Sequence, residues 1–363
     1  HLGFLKCRSL PKDTVLVGCI GNVGKIGMVF DDKSATNQQI NAVICNKDNY
    51  SHFIYYCLNG SRARLENVAD KTTLPILNKT NFENFEIAVP PLDEQRKIAA
   101  VLGVVQRAIE QQECLLALTD ELKKTLLHQL FTQGLRGEPQ KQTEIGPVPE
   151  SWEVAKLGNI ATSKSGGTPS RTKPEYWDGG SIPWVKTGEV DYRVINDTEE
   201  KITSAGLANS SARIFPVGTL LMAMYGQGIT RGKVAILGIE AATNQACVAI
   251  FPCEDVNTKF LYYFFEGKYE YIRNLGHGAN QKNLSAEILK GVTVAYPKDR
   301  EEQKSVVGSL EALDKKLSLH ERKRAALTDL FRTLLHQLMT AQIRVHDLDL
   351  PELELKSKTE RVA

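Results

Sequence analysis

Thr125-Leu126-Leu127-His128-Gln129-Leu130 returns unchanged as Thr333-Leu334-Leu335-His336-Gln337-Leu338, at an offset of 208 residues. Six identical residues at one offset lead to others. Glu94-Gln95 matches Glu302-Gln303 at 208, and Ala35-Thr36-Asn37-Gln38 matches Ala242-Thr243-Asn244-Gln245 at 207. Phe53 and Tyr55-Tyr56 match Phe260 and Tyr262-Tyr263, also at 207. The period is far longer than that of a solenoid, whose repeats span about 20–50 residues. The chain therefore reads as two copies of one large module.

Both copies have the same internal order. Short apolar runs bounded by Gly, such as Thr219–Met224 and Gly232–Leu237, read as strands. A turn follows at Pro90-Pro91 or Pro297, and then a long helix. The first takes Asp93 as its N-cap, with Glu94 in the first turn, and ends at Gly134 and Gly137. The second runs from about Asp299 to Thr340. Their apolar residues, among them Ile98, Leu102, Val105, Leu310, Leu313 and Leu317, advance by threes and fours. Each helix has some 40 residues, about 60 Å at 1.5 Å per residue. An apolar stripe of that length calls for a partner helix. One helix leaves the first copy toward the second, and the other must return. The fold expected is therefore α+β: a tandem repeat of a mixed α/β domain plus a long helix, the two helices forming an antiparallel coiled coil. Two separate core helices are the alternative. The matched His128 and His336 are expected in packing or an interhelical contact.

The boundaries that follow are 1–90 for a first α/β domain, 91–137 for the first helix and 138–150 for a linker. The second domain takes 151–296, the second helix 297–341 and a tail 342–363. The second copy carries a front part, 146–208, with no counterpart in the first. The expectation is an N-terminally incomplete first domain; a first module that is shorter by design is the alternative.

Composition narrows the function. The chain has 363 residues, 42% apolar and 24% charged, with 45 Lys+Arg against 43 Asp+Glu and a net charge of +2. That excludes a histone-like basic protein and an acidic disordered one. It leaves room for a locally basic face. No stretch reaches the 18 consecutive apolar residues of a membrane span. The seven Cys form no CxxC pair, which fits reduced, mostly buried thiols.

Three stretches of the second copy are basic and free of acids. The first, between Val154 and Pro174, holds Lys156, Lys164, Arg171 and Lys173 around Ser165-Gly166-Gly167-Thr168-Pro169-Ser170. The second, Gly226–Lys233, holds Gln227, Arg231 and Lys233, and the third, Tyr271–Ala286, holds Arg273, Gln281 and Lys282. Lys and Arg in Gly/Ser/Thr loops can meet phosphates, and Gln and Arg can read base edges. Solvated loops have the same composition. Lys25 and Lys71 are the candidates in the first copy. Residues 146–295 carry 15 Lys+Arg and 15 Asp+Glu, so a DNA face requires sorting of charge onto one side. Gly18-Cys19-Ile20-Gly21-Asn22-Val23-Gly24-Lys25 fails as a Walker A loop, because Ile26 stands where Ser or Thr is needed. No HExxH, GxGxxG-initiated βαβ unit or catalytic spacing is present.

With Gly146-Pro147-Val148-Pro149, Trp152, Tyr176-Trp177, Ile182-Pro183-Trp184 and the two Thr-Leu-Leu-His-Gln-Leu segments, the chain resembles the specificity subunits of type I restriction–modification systems. The resemblance implies two target-recognition domains, each reading one half of a split double-stranded DNA site. It implies long helices that set the spacing and dock two modification (methyltransferase) subunits, with restriction (nuclease/translocase) subunits beyond them. It further implies a non-catalytic, cytoplasmic chain. S-adenosylmethionine, ATP and Mg would belong to the partners, with no cofactor in this chain and no membrane association. The alternative is a structural, partner-binding coiled-coil protein without DNA recognition.

Overall fold

A computed structural model describes residues 9–32, 34–70, 74–225, 229–275 and 284–345. It resolves into two compact units, residues 1–116 with 319–363, and residues 117–318. The division falls inside both long helices. Each unit thus owns the start of one helix and the end of the other.

In the first unit, strands β1 (Val15–Gly18), β2 (Ile26–Met28) and β3 (Ile40–Val43) form an antiparallel sheet in the order β2-β1-β3. Three helices follow: α1 (Ser51–Gly60), α2 (Arg62–Val68) and α3 (Lys79–Glu83). The long helix α4 (Leu92–Gln133) then begins. Val15 and Val17 of β1 face Phe53, Tyr56 and Leu65, and Leu102 of α4 closes the core.

In the second unit, β4 (Gln140–Thr143) and β5 (Gly146–Pro149) form a hairpin. Next come β6 (Glu153–Lys156), α5 (Leu157–Ile160), β7 (Ala161–Ser165), β8 (Ile182–Val185), β9 (Val194–Ile195), β10 (Glu200–Ile202) and α6 (Ser204–Ala208). They are followed by β11 (Leu220–Ala223), β12 (Val234–Leu237), β13 (Ala242–Thr243), β14 (Cys247–Pro252), α7 (Thr258–Gly267), α8 (Tyr269–Asn274), α9 (Ala286–Lys290) and β15 (Thr293–Tyr296). The second long helix, α10 (Arg300–Met339), comes last. The main sheet has the order β7-β14-β11-β12-β9, with only β9 parallel to its neighbour. Both faces are covered, so its central strands read as unbroken apolar runs. Alternation still sorts them. Leu220, Met222, Val234 and Ile250 pack with Phe260 and Phe264 of α7, while Leu221, Ala235 and Ala249 pack with Val185, Ile195 and Phe215.

The recurring Glu-Gln pairs now acquire a physical role. Gln303, 0% exposed, accepts from the Asn257 N–H at 2.7 Å and donates to the carbonyls of Asp255 (2.8 Å) and Pro297 (2.9 Å). Gln95, 1% exposed, accepts from the Tyr50 N–H at 2.7 Å and donates to those of Asp48 (3.2 Å) and Pro90 (2.9 Å). One amide thus ties the start of each long helix to the start of the shorter helix beneath it. Capping differs between the copies. Asp299 caps α10 by accepting from the Glu301 N–H at 2.9 Å. Asp93 is not the N-cap of α4: the first helical bond runs from the Gln95 N–H to the Pro91 carbonyl at 3.0 Å, which puts Asp93 inside the first turn. Gly134, at φ +68°, ends α4 as expected.

The long helices pack together. In the first unit Glu94 pairs with Arg344, just past α10, at 3.6 Å, and Gln112 meets His320 at 2.8 Å. In the second, Lys123 pairs with Asp314 at 2.7 Å. Going forward along one helix means going back along the other, so they are antiparallel. The matched histidines are a correction. His128 and His336 are both exposed, and it is Leu127 and Leu130, and in the other copy Leu338, that enter the cores. Burial of thiols holds for Cys19, Cys57 and Cys247, whereas Cys114 and Cys253 are exposed. No helix among the described residues is long and apolar enough to cross a membrane.

Candidate nucleic-acid interface

The described parts of the three basic stretches of the second unit converge. Backbone hydrogen bonds show it strand by strand. Leaving β7, the Gly166 N–H donates to the Cys247 carbonyl (3.3 Å) and that of Gly167 to Thr243 (2.8 Å). Leaving β11, the Met224 N–H donates to Ala246 (2.8 Å), and Met224 in turn accepts from the Leu284 N–H (3.1 Å). The start of the loop after β7, the chain leaving β11 at Met224, the Asn244-Gln245 turn before β14 and the return of the chain at Leu284 therefore lie side by side at one end of the main sheet. Such an edge-on cluster of loops on a rigid sheet suits recognition of a long ligand.

Individual candidates separate once placed. Lys164 is exposed on β7, opposite Ala249, and makes no ion pair among the described residues. It lies in an edge strand, where lysine also discourages edge-to-edge pairing. Lys173 is exposed and donates to the Tyr176 hydroxyl at 3.1 Å. Arg171 lies 3.6 Å from the centroid of Trp177 and 5.0 Å from that of Trp184, and pairs with Glu200 at 2.5 Å. Burial alone would raise the Glu200 carboxyl, but the hydrogen bond and charge of Arg171, joined by Lys186, hold it below the usual carboxylate range. Lys233 is largely covered and pairs with Asp191 at 2.6 Å.

Arg231 is not on the surface. It is 8% exposed, and its guanidinium donates to the Arg273 carbonyl at 2.9 Å, tying two of the basic stretches together from inside. The glycines of Ser165-Gly166-Gly167-Thr168 are also committed to the fold. A Cβ on Gly166 would stand 2.1 Å from Thr243 Oγ1, and one on Gly167 2.3 Å from Ser211 Oγ. Their N–H groups are used within the sheet end, so this is a close backbone approach and not a phosphate cradle. Lys25 is exposed in the first unit, directly after Gly24 (φ +74°), as Lys233 directly follows Gly232 (φ +87°). Gln227, Gln281, Lys282 and Lys71 lie outside the described residues.

Sequence reasoning missed the Arg171–Trp177–Glu200 assembly and the role of the Ala-Thr-Asn-Gln repeat. Asn244 accepts from the Ala246 N–H at 3.1 Å and donates to Thr187 Oγ1 at 2.9 Å, while Asn37 accepts from the Gln39 N–H at 3.0 Å. The repeated Asn makes the same tight turn before β3 and before β14. Among the described residues no group of three or more His, Cys, Asp or Glu is placed to hold a metal ion.

Two α/β modules, each continued by a long helix, define a duplicated scaffold, and in the second unit loops gather at one sheet end. The description "Type I restriction modification DNA specificity domain" matches residues 1–117 and 149–329, and the chain belongs to that family. It is 36% identical over 181 residues to the type I restriction enzyme MjaIX specificity subunit of Methanocaldococcus jannaschii, covering 48% of this chain but only 41% of that relative. It is 25% identical over 308 residues to the MjaVIII specificity subunit of the same organism, covering 82% of this chain and 71% of that one. The crystal structure of a type I restriction–modification S subunit from M. genitalium shares the fold, with a TM-score of 0.62 at 20% identity, over 92% of this chain and 84% of that one.

Proposed function

We propose that this chain is the sequence-specific DNA-binding specificity subunit of a type I restriction–modification complex. Each recognition domain reads one half of a bipartite double-stranded site. The paired helices set the spacer and dock two modification subunits, to which restriction subunits add. The observation that carries the reading is the convergence of the three basic stretches on one sheet end, in a chain of the specificity-domain family. The alternative, a coiled-coil protein without a DNA role, gives no reason for that convergence.

In this reading the chain catalyses nothing. It acts in the cytoplasm, away from membranes. S-adenosylmethionine, ATP and Mg act on the partner subunits. Loops supply base contacts, while exposed cations such as Lys164 and Lys173 supply phosphate contacts that fix register without reading sequence. The test is to co-express the chain with candidate modification subunits and sequence the methylated DNA. Methylation at one bipartite motif is expected. Methyl transfer by the purified chain without partners, or partner complexes that methylate without any motif, would overturn the reading.

A further inference from the structure

Equivalent sites in the two units are filled by different chemistry. In the second unit Lys123 of α4, its side chain 8% exposed, reaches Glu266 of α7 at 2.6 Å and Asp314 of α10 at 2.7 Å. Its ammonium lies 5.5 Å from the ring centroid of Tyr263, whose hydroxyl donates to Asp314 at 2.5 Å. In the first unit the residue equivalent to Lys123 is Phe331 of α10. It meets Tyr56, the equivalent of Tyr263, with ring centroids 6.0 Å apart. Glu266 and Asp314 are replaced there by the neutral Asn59 and Gln106. The backbone frame is shared: Gly267 lies against Leu127, and Gly60 against Leu335, the equivalent of Leu127.

We infer that this difference is a pairing code, by which each unit accepts the helix end it has and rejects the equivalent end from a second copy of the chain. The site in the second unit is built by α7 and the start of α10, and it receives the end of α4. Were it to receive the end of α10 from a second copy, Phe331 would stand between Glu266 and Asp314 with no cation. The site in the first unit is built by α1 and the start of α4. Given an α4 end from a second copy, it would set Lys123 against the neutral Asn59 and Gln106 in place of Glu266 and Asp314, with Glu110, bonded to Gln106 at 3.2 Å, as the near carboxylate. The first error leaves Glu266 largely buried without its cation, and removing one member of a buried ion pair is strongly unfavourable; the second gives Lys123 one carboxylate in place of two. The repeat makes these errors a real hazard, because the two helix ends share Thr-Leu-Leu-His-Gln-Leu. A polar residue at one seam position is a known means of choosing among otherwise similar helix partners.

The test uses two differently tagged full-length chains, unfolded, mixed and refolded together. Product carrying both tags is then measured against the wild type. The triple variant K123F/E266N/D314Q gives the second unit the side chains of the first. It is expected to raise mixed-tag product about tenfold, as a shift of about 1.4 kcal/mol would. The converse graft F331K/N59E/Q106D is expected to do the same. Leu310→Ala, in the same core as Lys123's neighbours on α10, controls for lost stability and is expected to leave mixing at the wild-type level. Grafts that refold without increased mixing overturn the inference, as does a Leu310→Ala variant that mixes equally. If neither graft folds, the two sites are not interchangeable and the inference fails.

Discussion

Gln112 Oε1 and His320 Nδ1 are hydrogen-bonded at 2.8 Å, and the two residues are 208 apart, the offset of the repeat. They are one position of the module, met twice. Glu94 meets Arg344 before this point and Lys123 meets Asp314 after it, so the partner's number falls as the helix advances and the helices run in opposite directions. The Gln112–His320 contact is where the antiparallel pair meets at equivalent positions of the repeat.

The glutamine clamps bind three backbone groups each, and nothing else among the described residues satisfies those groups. Gln303→Ala is expected to destabilise the second unit by at least about 3 kcal/mol, since it leaves three backbone groups unpaired and each costs about 1–3 kcal/mol. Gln95→Ala is expected to act alike on the first. Denaturant unfolding followed by tryptophan fluorescence reports the second unit directly, because Trp152, Trp177 and Trp184 all lie in it. A loss below about 0.5 kcal/mol, the size of an ordinary surface change, would show the clamps to be dispensable.

Glu200 gives the second unit a pH dependence of known sign. Its carboxyl is held below the usual range in the folded state, so its stabilisation is present above the unfolded value of about 4.5 and is lost as pH falls through the lower folded value. Glu200→Gln is expected to flatten the acid limb of the stability curve and leave its slope above pH 6 unchanged. An identical acid limb in the variant would remove Glu200 from the account.

Lys164 and Arg231 are expected to part company. In the assembled complex, Lys164→Ala should weaken binding to all sequences alike and reduce the salt slope by about one. Arg231→Ala should leave the slope unchanged and lower the thermal stability of the chain, because its guanidinium serves the Arg273 carbonyl. A change of salt slope with Arg231→Ala and none with Lys164→Ala would invert the assignment.

The helices are expected to act as a ruler. Thr125–Leu130 is a poor place to test this, since Leu127 and Leu130 are only 5% exposed. Four residues added after Leu116 in α4, together with four after Ser318 in α10, lengthen both helices by about 6 Å. At about 3.4 Å per base pair, the spacer should change by at most about two base pairs and the half-sites not at all. Methylome sequencing of an active variant with an unchanged spacer would rule the ruler out.

Legibility tracked the distance over which a feature is determined. The long helices, their direction and the repeat follow from local periodicity and an identity repeated along the chain. The pairing of charges does not. Arg231 reads as a surface cation because its neighbours in sequence carry no acid, yet it is buried and donates to the carbonyl of Arg273, 42 residues on. Glu200 lies 29 residues from Arg171, and Lys233 meets Asp191 across 42. Lys123 in a helical pattern reads as solvated, and only the third dimension sets Glu266 beside it. The convergence of the basic loops needed the strand order, which brings β7 beside β14 and so unites segments some 80 residues apart.

The way the units divide the chain sets an order on the ribosome. Residues 117–318 are contiguous, so the second unit has all its parts once Ser318 has emerged. The first unit draws on both sides of it. Its early strands and α1 are synthesised first, but Phe331 and Leu338, which pack against them, come more than 250 residues later. At synthesis rates of about 5–20 residues per second, β1 to α1 wait at least ten seconds or so with an apolar face uncovered. The domain made first is therefore the one finished last, and the nascent chain must shelter it while its second half folds.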